Sequence, residues 1–204
     1  MSAPSEPSSG KRVSLETYAT RCDTHRILRR LGKATAPATR LGFSCNDRVM
    51  ARPNVFGGEF EYDEEDPEGY RSGVTPVGIQ AGGRAITVKV YEIPPGESMC
   101  PYHYEYEEEW LIVLQGAVSL RTPEGEAQLS EGEVVCFSPG PQGAHKVTNR
   151  SPSASRVMMF SSSREPAVAV YPDSDKIGVW PGNEDDSLML RRADGDVDYY
   201  QGER

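Results

Sequence analysis

The sequence has no long apolar run. None of its stretches approaches the roughly 18 apolar residues of a membrane span, and its opening, MSAPSEPSSGKR, lacks the apolar segment of a signal peptide. Both shortages predict a cytoplasmic protein with no membrane partner. Positive charge is also short: 22 Lys and Arg stand against 31 Asp and Glu in 204 residues, a formal net charge of −9. Sequence-independent binding of nucleic acid or anionic lipid depends on clustered Lys and Arg, so neither partner is expected. Cysteine is sparse and scattered. Cys22, Cys45, Cys100 and Cys136 form no CxxC, and a chain of this length needs no covalent staples, so free thiols are expected. Histidine is scarcest of the residues that carry chemistry, with only His25, His103 and His145.

Turn-forming residues are plentiful. The 20 Gly and 16 Pro speak against long helices and coiled coils, while a hydrophobic fraction of 37% is enough to close one core. Residues 1 to 12 are rich in Ser, Pro and Gly and cannot repay ordering by burial, so a mobile tail is expected there. From Ser14 to Leu31 the apolar residues Leu15, Tyr18, Cys22, Leu28 and Leu31 recur at steps compatible with a short helix. His25, beside Arg26, Arg29 and Arg30, reads as a surface or packing residue. LGFS and VMARPNVF then read as short strand-like runs. The acidic stretch 59 to 70 reads either as a cation site or, by the usual behaviour of charge runs, as a solvated loop.

From Ile86 onward the pattern is regular. Ile86, Val88 and Val90 alternate with Thr87, Lys89 and Tyr91, the period of two that puts one face of a strand on a core. Further runs follow at Trp110 to Leu114, Ala117 to Arg121, Val134 to Phe137, Lys146 to Asn149, Val157 to Phe160 and Val168 to Tyr171, separated by Gly- and Pro-rich breakers. Many short strands at close spacing predict an all-β sandwich or barrel. TPEGE between two of them predicts a tight hairpin with Gly125 in the turn. The segment beyond Tyr171 is left open between packing on the barrel, pairing with a second subunit and hanging free.

Two hairpins carry the polar residues of interest. In the first, six residues separate Gly96 from His103, one separates His103 from Glu105, three separate Glu105 from Glu109 and six separate Glu109 from Gly116. Residues two apart on a strand share a face, so His103 and Glu105 project together, and a turn can deliver Glu109 to the same point. In the second, Gly132, Ser138, Gly140, His145 and Asn149 span a strand, a Pro/Gly loop and a strand. Glu108 is a second candidate for the carboxylate if the chain shifts by one residue there.

Together the two segments, Gly-x₆-His-x-Glu-x₃-Glu-x₆-Gly and Gly-x₅-Ser-x-Gly-x₄-His-x₃-Asn, resemble the two motifs of the cupin superfamily over roughly residues 86 to 160. The resemblance implies a cupin double-stranded β-helix, a jelly-roll barrel, with a short N-terminal helix and terminal arms. The expected division is 1–40 for tail and helix, 41–165 for the barrel and 166–204 for a C-terminal extension. It also implies a site for one divalent metal ion made of His103, Glu109 and His145, with Glu105 standing where the family has a histidine; because residues two apart on a strand share a face, Glu105 is expected as a fourth ligand, in a set that suits Fe, Mn, Ni or Zn. Three roles for Glu105 stay open. As a ligand it makes the site harder and the metal-bound water less acidic, which disfavours Lewis-acid hydrolysis. As a general base it stands beside a two-His, one-carboxylate face suited to dioxygen chemistry. As the mark of a lost site, it leaves only a pocket.

The expected function is therefore a metal-binding cupin acting on a small polar molecule by isomerase-like or oxygenase-like chemistry. The alternative is a non-catalytic binding or regulatory cupin with a weakened metal site. A homodimer is expected, because open jelly rolls leave sheet edges to cover. Cys100 reads as a small buried residue rather than a reactive thiol. Trp110 is expected in the core or at a sheet junction, and Tyr102, Tyr104 and Tyr106 on the face opposite His103. Gly140 and Gly143 read as turn residues.

Overall fold

A computed structural model describes residues 51–195 and 197–203. The tail, the helix over Ser14 to Leu31, His25, Cys22, Cys45 and the LGFS run all lie outside the described residues. Among the described residues chain order gives twelve strands: β1 (Gly73–Thr75), β2 (Ile86–Ile93), β3 (Tyr104–Glu105), β4 (Glu109–Gln115), β5 (Ala117–Thr122), β6 (Gly125–Ser130), β7 (Val134–Phe137), β8 (Lys146–Thr148), β9 (Ser155–Ser162), β10 (Ala167–Tyr171), β11 (Lys176–Trp180) and β12 (Leu188–Arg191). One four-residue helix, α1 (Val77–Gln80), joins β1 to β2, and a second, α2 (Arg192–Gly195), follows β12. Residues 51–56, expected to be strand-like, are irregular instead. Asn54 turns the chain there by accepting the Phe56 N–H on its side-chain oxygen at 2.9 Å, the local bonding that lets Asn compete with a strand ladder.

Three antiparallel sheets result, ordered β1-β2-β9-β4-β7, β6-β5-β8 and β12-β11-β10-β3. The TPEGE turn forms the β5–β6 hairpin, with Thr122 paired to Gly125. Leu111, Val113, Val118, Leu120, Phe137, Val147, Val157 and Met159 are buried together in one core cluster, built from strands of the first two sheets. At Gly116, between β4 and β5, φ is +77° and an added Cβ would come 2.9 Å from the Ser155 hydroxyl, so the close approach of β9 requires glycine there. Residues 167–191 do not hang free: β10 pairs with β3 through Ala169–Glu105 and Val170–Tyr104, and β11 and β12 extend that sheet outward.

The facing of β2 differs from the expectation. Its core side carries Tyr91 and Ile93, whereas Val88 lies under α1, where a Cβ on Gly78 would come 2.9 Å from the Val88 nitrogen. Lys89 is therefore turned inward with Tyr91. Both faces of β2 are covered, so alternation alone does not mark the one that meets the core.

The stretch 59–70 behaves as a loop edge. Glu61 bridges Val74, and among the described residues no group of three close metal ligands occurs in it. No helix among the described residues is long and apolar enough to cross a membrane.

Candidate metal centre

His103 and His145 are an antiparallel pair that exchanges both backbone hydrogen bonds, His103 N–H to the His145 carbonyl at 3.1 Å and His145 N–H to the His103 carbonyl at 2.8 Å. Directly opposed residues put their side chains on one face, and the two rings lie 4.7 Å apart. Phe137 stacks on His145 at 3.7 Å and Tyr171 on His103 at 5.8 Å, so each ring is clamped from its other side.

The tautomers follow from the second set of partners. His145 Nδ1 sits 2.9 Å from the Gly143 carbonyl and His103 Nδ1 3.0 Å from the Pro101 carbonyl. A carbonyl only accepts, so each Nδ1 carries a proton, and in a neutral ring that leaves Nε2 as the atom able to coordinate, the arrangement typical of metal-binding histidines. His145 Nε2 is fully buried and has no hydrogen-bond partner. An orphaned buried nitrogen is costly unless something coordinates it.

Glu109 supplies the third group. It begins β4 in register with Phe137 on one side and Ser161 on the other, and its Oε2 lies 3.8 Å from His145 Nε2. One ligand atom each from His103, Glu109 and His145 falls within 4.8 Å of the others. Glu105 lies outside that set yet beside it, with Oε1 4.0 Å from His103 Nε2. Glu108 accepts the Trp110 indole N–H at 2.7 Å on the exposed side, so Glu109 is the carboxylate turned inward. Two nitrogens and one or two carboxylates make a donor set that fits a divalent first-row ion.

The neighbours sort by role. Trp110 is on the outer face, stacked on Phe160 at 6.0 Å, and not in the core. Tyr102 and Tyr104 pack with Ala144 and Val170 away from the histidines, while Tyr106 is exposed. Cys100 is buried in the main core with its sulfur 3.6 Å from His103 Nδ1. Asn149 is a clamp: its amide donates to the Ile93 and Ser153 carbonyls, each at 2.7 Å, and its oxygen accepts from Ser151.

The site opens on a cavity of about 110 Å³, lined among others by Thr87, Lys89, Glu105, Glu107, Ser161 and Trp180. That is room for several water-sized groups, hence for a small ligand. Lys89, Tyr171 and Trp180 were missed in the sequence. The two aromatics come from β10 and β11, far along the chain, and only the β3–β10 pairing brings them to the site.

Gly143 holds the loop that carries His145. A Cβ there would overlap the Ser138 carbonyl oxygen and come within 2.9 Å of the Ser138 nitrogen and carbonyl carbon. Gly143→Ala should therefore displace the carbonyl that fixes the His145 tautomer. The expected cost is about 1–3 kcal/mol of unfolding free energy from overpacking, together with weakened metal uptake. Unchanged denaturation and unchanged uptake would refute this role.

Burial, and then the neighbouring His103, push the His145 imidazole down from 6.5 to about 3, against an upward pull from the Gly143 hydrogen bond. Between these values the unfolded chain binds a proton at His145 that the folded chain does not. Stability from this group is thus fully present above the unfolded value, and should fall by roughly 1.4 kcal/mol per pH unit as pH drops below it, toward the folded value. Denaturant titrations of wild type and His145→Gln at neutral and mildly acidic pH check this. The same acid sensitivity in both proteins would rule out His145 as its source.

Comparison with known proteins agrees with this fold. A family model described as the cupin domain matches residues 89–161. A protein from Acidithiobacillus ferrooxidans, provisionally named a sugar phosphate isomerase, superposes with a TM-score of 0.65 at 21% identity, over 74% of this chain and 98% of that one. A cupin-superfamily sugar phosphate isomerase from Silicibacter pomeroyi superposes with a TM-score of 0.56 at 21% identity, over 63% of this chain and 81% of that one. No curated protein sequence matches the chain.

Proposed function

We propose, for a chain that carries a cupin domain over residues 89–161, that the cavity binds one divalent metal ion through His103, Glu109 and His145 and isomerises a small hydroxylated carbonyl compound. The observation that carries the metal reading is the buried, unpartnered His145 Nε2 beside the Glu109 carboxylate. Charge supports it. Among the lining groups Arg164 and Glu165 offset one another, and Glu105, Glu107 and Glu109 against Lys89 leave two formal negative charges, the charge of one divalent cation.

A bound ion supplies Lewis-acid polarisation of substrate oxygens. Glu105, on the same wall, takes the proton from the carbon next to the carbonyl. The C–H electron pair becomes the double bond of an enediolate, the proton of the neighbouring hydroxyl passes to the former carbonyl oxygen as that hydroxyl becomes the new carbonyl, and Glu105 returns its proton to the former carbonyl carbon. Its other role, as a fourth ligand, is separated by the Glu105 variant discussed below. The names of the two superposed isomerases agree with this chemistry. A second reading, dioxygen chemistry on Fe(II), is favoured by the two-His, one-carboxylate set itself.

Titration of tag-free apoprotein with Mn(II), with bound metal counted after dialysis, tests the metal reading. One ion per chain is expected. Failure to bind Mn, Fe, Ni or Zn would leave the regulatory alternative. Oxygen uptake by the iron-loaded protein with a hydroxycarbonyl compound would favour the second reading.

A further inference from the structure

We propose that Lys89 is the anion-binding residue of this cavity, and that the ligand it takes is a small hydroxy acid or the enediolate of a hydroxycarbonyl compound. This rests on the metal reading above and names the substrate class of the same site.

Lys89 sits in a row that is otherwise apolar. Its cross-strand partner is Met159, which pairs in turn with Leu111, and Leu111 with Val135. An apolar residue would be the cheap occupant of that position, because burying an ammonium costs several kcal/mol unless it is compensated. Lys89 is nevertheless only 4% exposed and lines the cavity. It has interactions with the protein's own groups, which accounts for its being tolerated, though not for its facing a cavity.

The neighbouring row says what else a ligand meets. Thr87, Ser161 and Glu109 are in register across β2, β9 and β4, one step from the Lys89 row, and all three line the cavity. Side-chain exposure is 14% at Glu109 and 18% at Glu105 against 4% for the Lys89 residue, so among these charged residues Lys89 is the most deeply buried. A ligand that reaches Lys89 is rewarded for an anionic oxygen there, since hydrogen bonds to an ionised group are the strong ones. Hydroxyl groups one step away find Thr87 and Ser161. A cavity of about 110 Å³ has room for such a small ligand.

Glycolate is the probe, added to manganese-loaded protein in a calorimeter, with ethylene glycol as its uncharged counterpart. Lys89→Met, close in shape to the native side chain, should take up Mn as wild type does and bind glycolate roughly tenfold more weakly or worse, the loss of one charged hydrogen bond. Lys89→Arg should recover part of the affinity, and ethylene glycol should bind poorly to all three. Wild-type glycolate affinity in Lys89→Met, absence of glycolate binding by loaded wild type, or equal binding of ethylene glycol would each overturn the proposal. So would loss of Mn from both Lys89→Met and Lys89→Gln when they remain folded, since Lys89 would then support the metal site and not the ligand. If wild type takes up no metal, the Mn titration without glycolate shows that the site reading itself has failed.

Discussion

His145→Ala should lose the metal. Removing even an outer-shell partner of a ligand typically costs about 10–100-fold in affinity, so deleting a nitrogen that itself coordinates should weaken Mn(II) binding by more than about 100-fold. The reason is local. His145 Nε2 is buried with no partner of its own, opposite Glu109 at 3.8 Å, and no other described imidazole can replace it, because His103 already occupies the facing position. Dialysis against a fixed Mn(II) concentration, followed by elemental analysis, measures the effect. The alanine also leaves space under Phe137, which stacks on the imidazole at 3.7 Å, so a thermal melt must show that the variant is folded. His145→Gln, which keeps most of the volume, serves where alanine does not fold. A folded variant that binds metal like wild type would end the assignment.

Glu105→Gln should keep the metal and lose the chemistry. The amide preserves shape and removes the base, and an acid-base group contributes about 10²–10⁴-fold to rate. Deuterium entry from D₂O into the carbon next to the carbonyl of glyceraldehyde, followed by NMR on manganese-loaded protein, reads proton abstraction directly. The variant should retain one Mn per chain while exchange falls by about that factor. Loss of Mn would instead make Glu105 a fourth ligand, which its 4.0 Å distance to His103 Nε2 also places within reach. Exchange at the wild-type rate with metal retained would remove Glu105 from the mechanism.

Much of this site was legible because it is written in short-range spacing. His103 and Glu105 two apart, Glu109 after a turn and His145 after a Pro/Gly loop are local facts of two hairpins, and strand geometry converts them into facing directions. Glu108 against Glu109 was not legible, since a one-residue shift exchanges them. The register of Glu109 with Phe137 and Ser161, and the Trp110 hydrogen bond to Glu108, decide it.

Trp110 and Lys89 show the same difficulty from opposite sides. Each belongs to a strand whose two faces both carry apolar residues, so alternation alone left open which face meets the core, and the sheet pairing put the indole against Phe160 and Lys89 on the cavity wall. The sequence by itself determined most of the strand pattern between Ile86 and Tyr171 and the residues of the histidine hairpins, because strand period and turn chemistry act over a few residues. Only the tertiary structure decided which face of β2 meets the cavity, that Tyr171 clamps His103 and that Trp180 lines the wall. Those contacts join segments far apart in the chain, and no local preference of the backbone encodes which strand lies beside which.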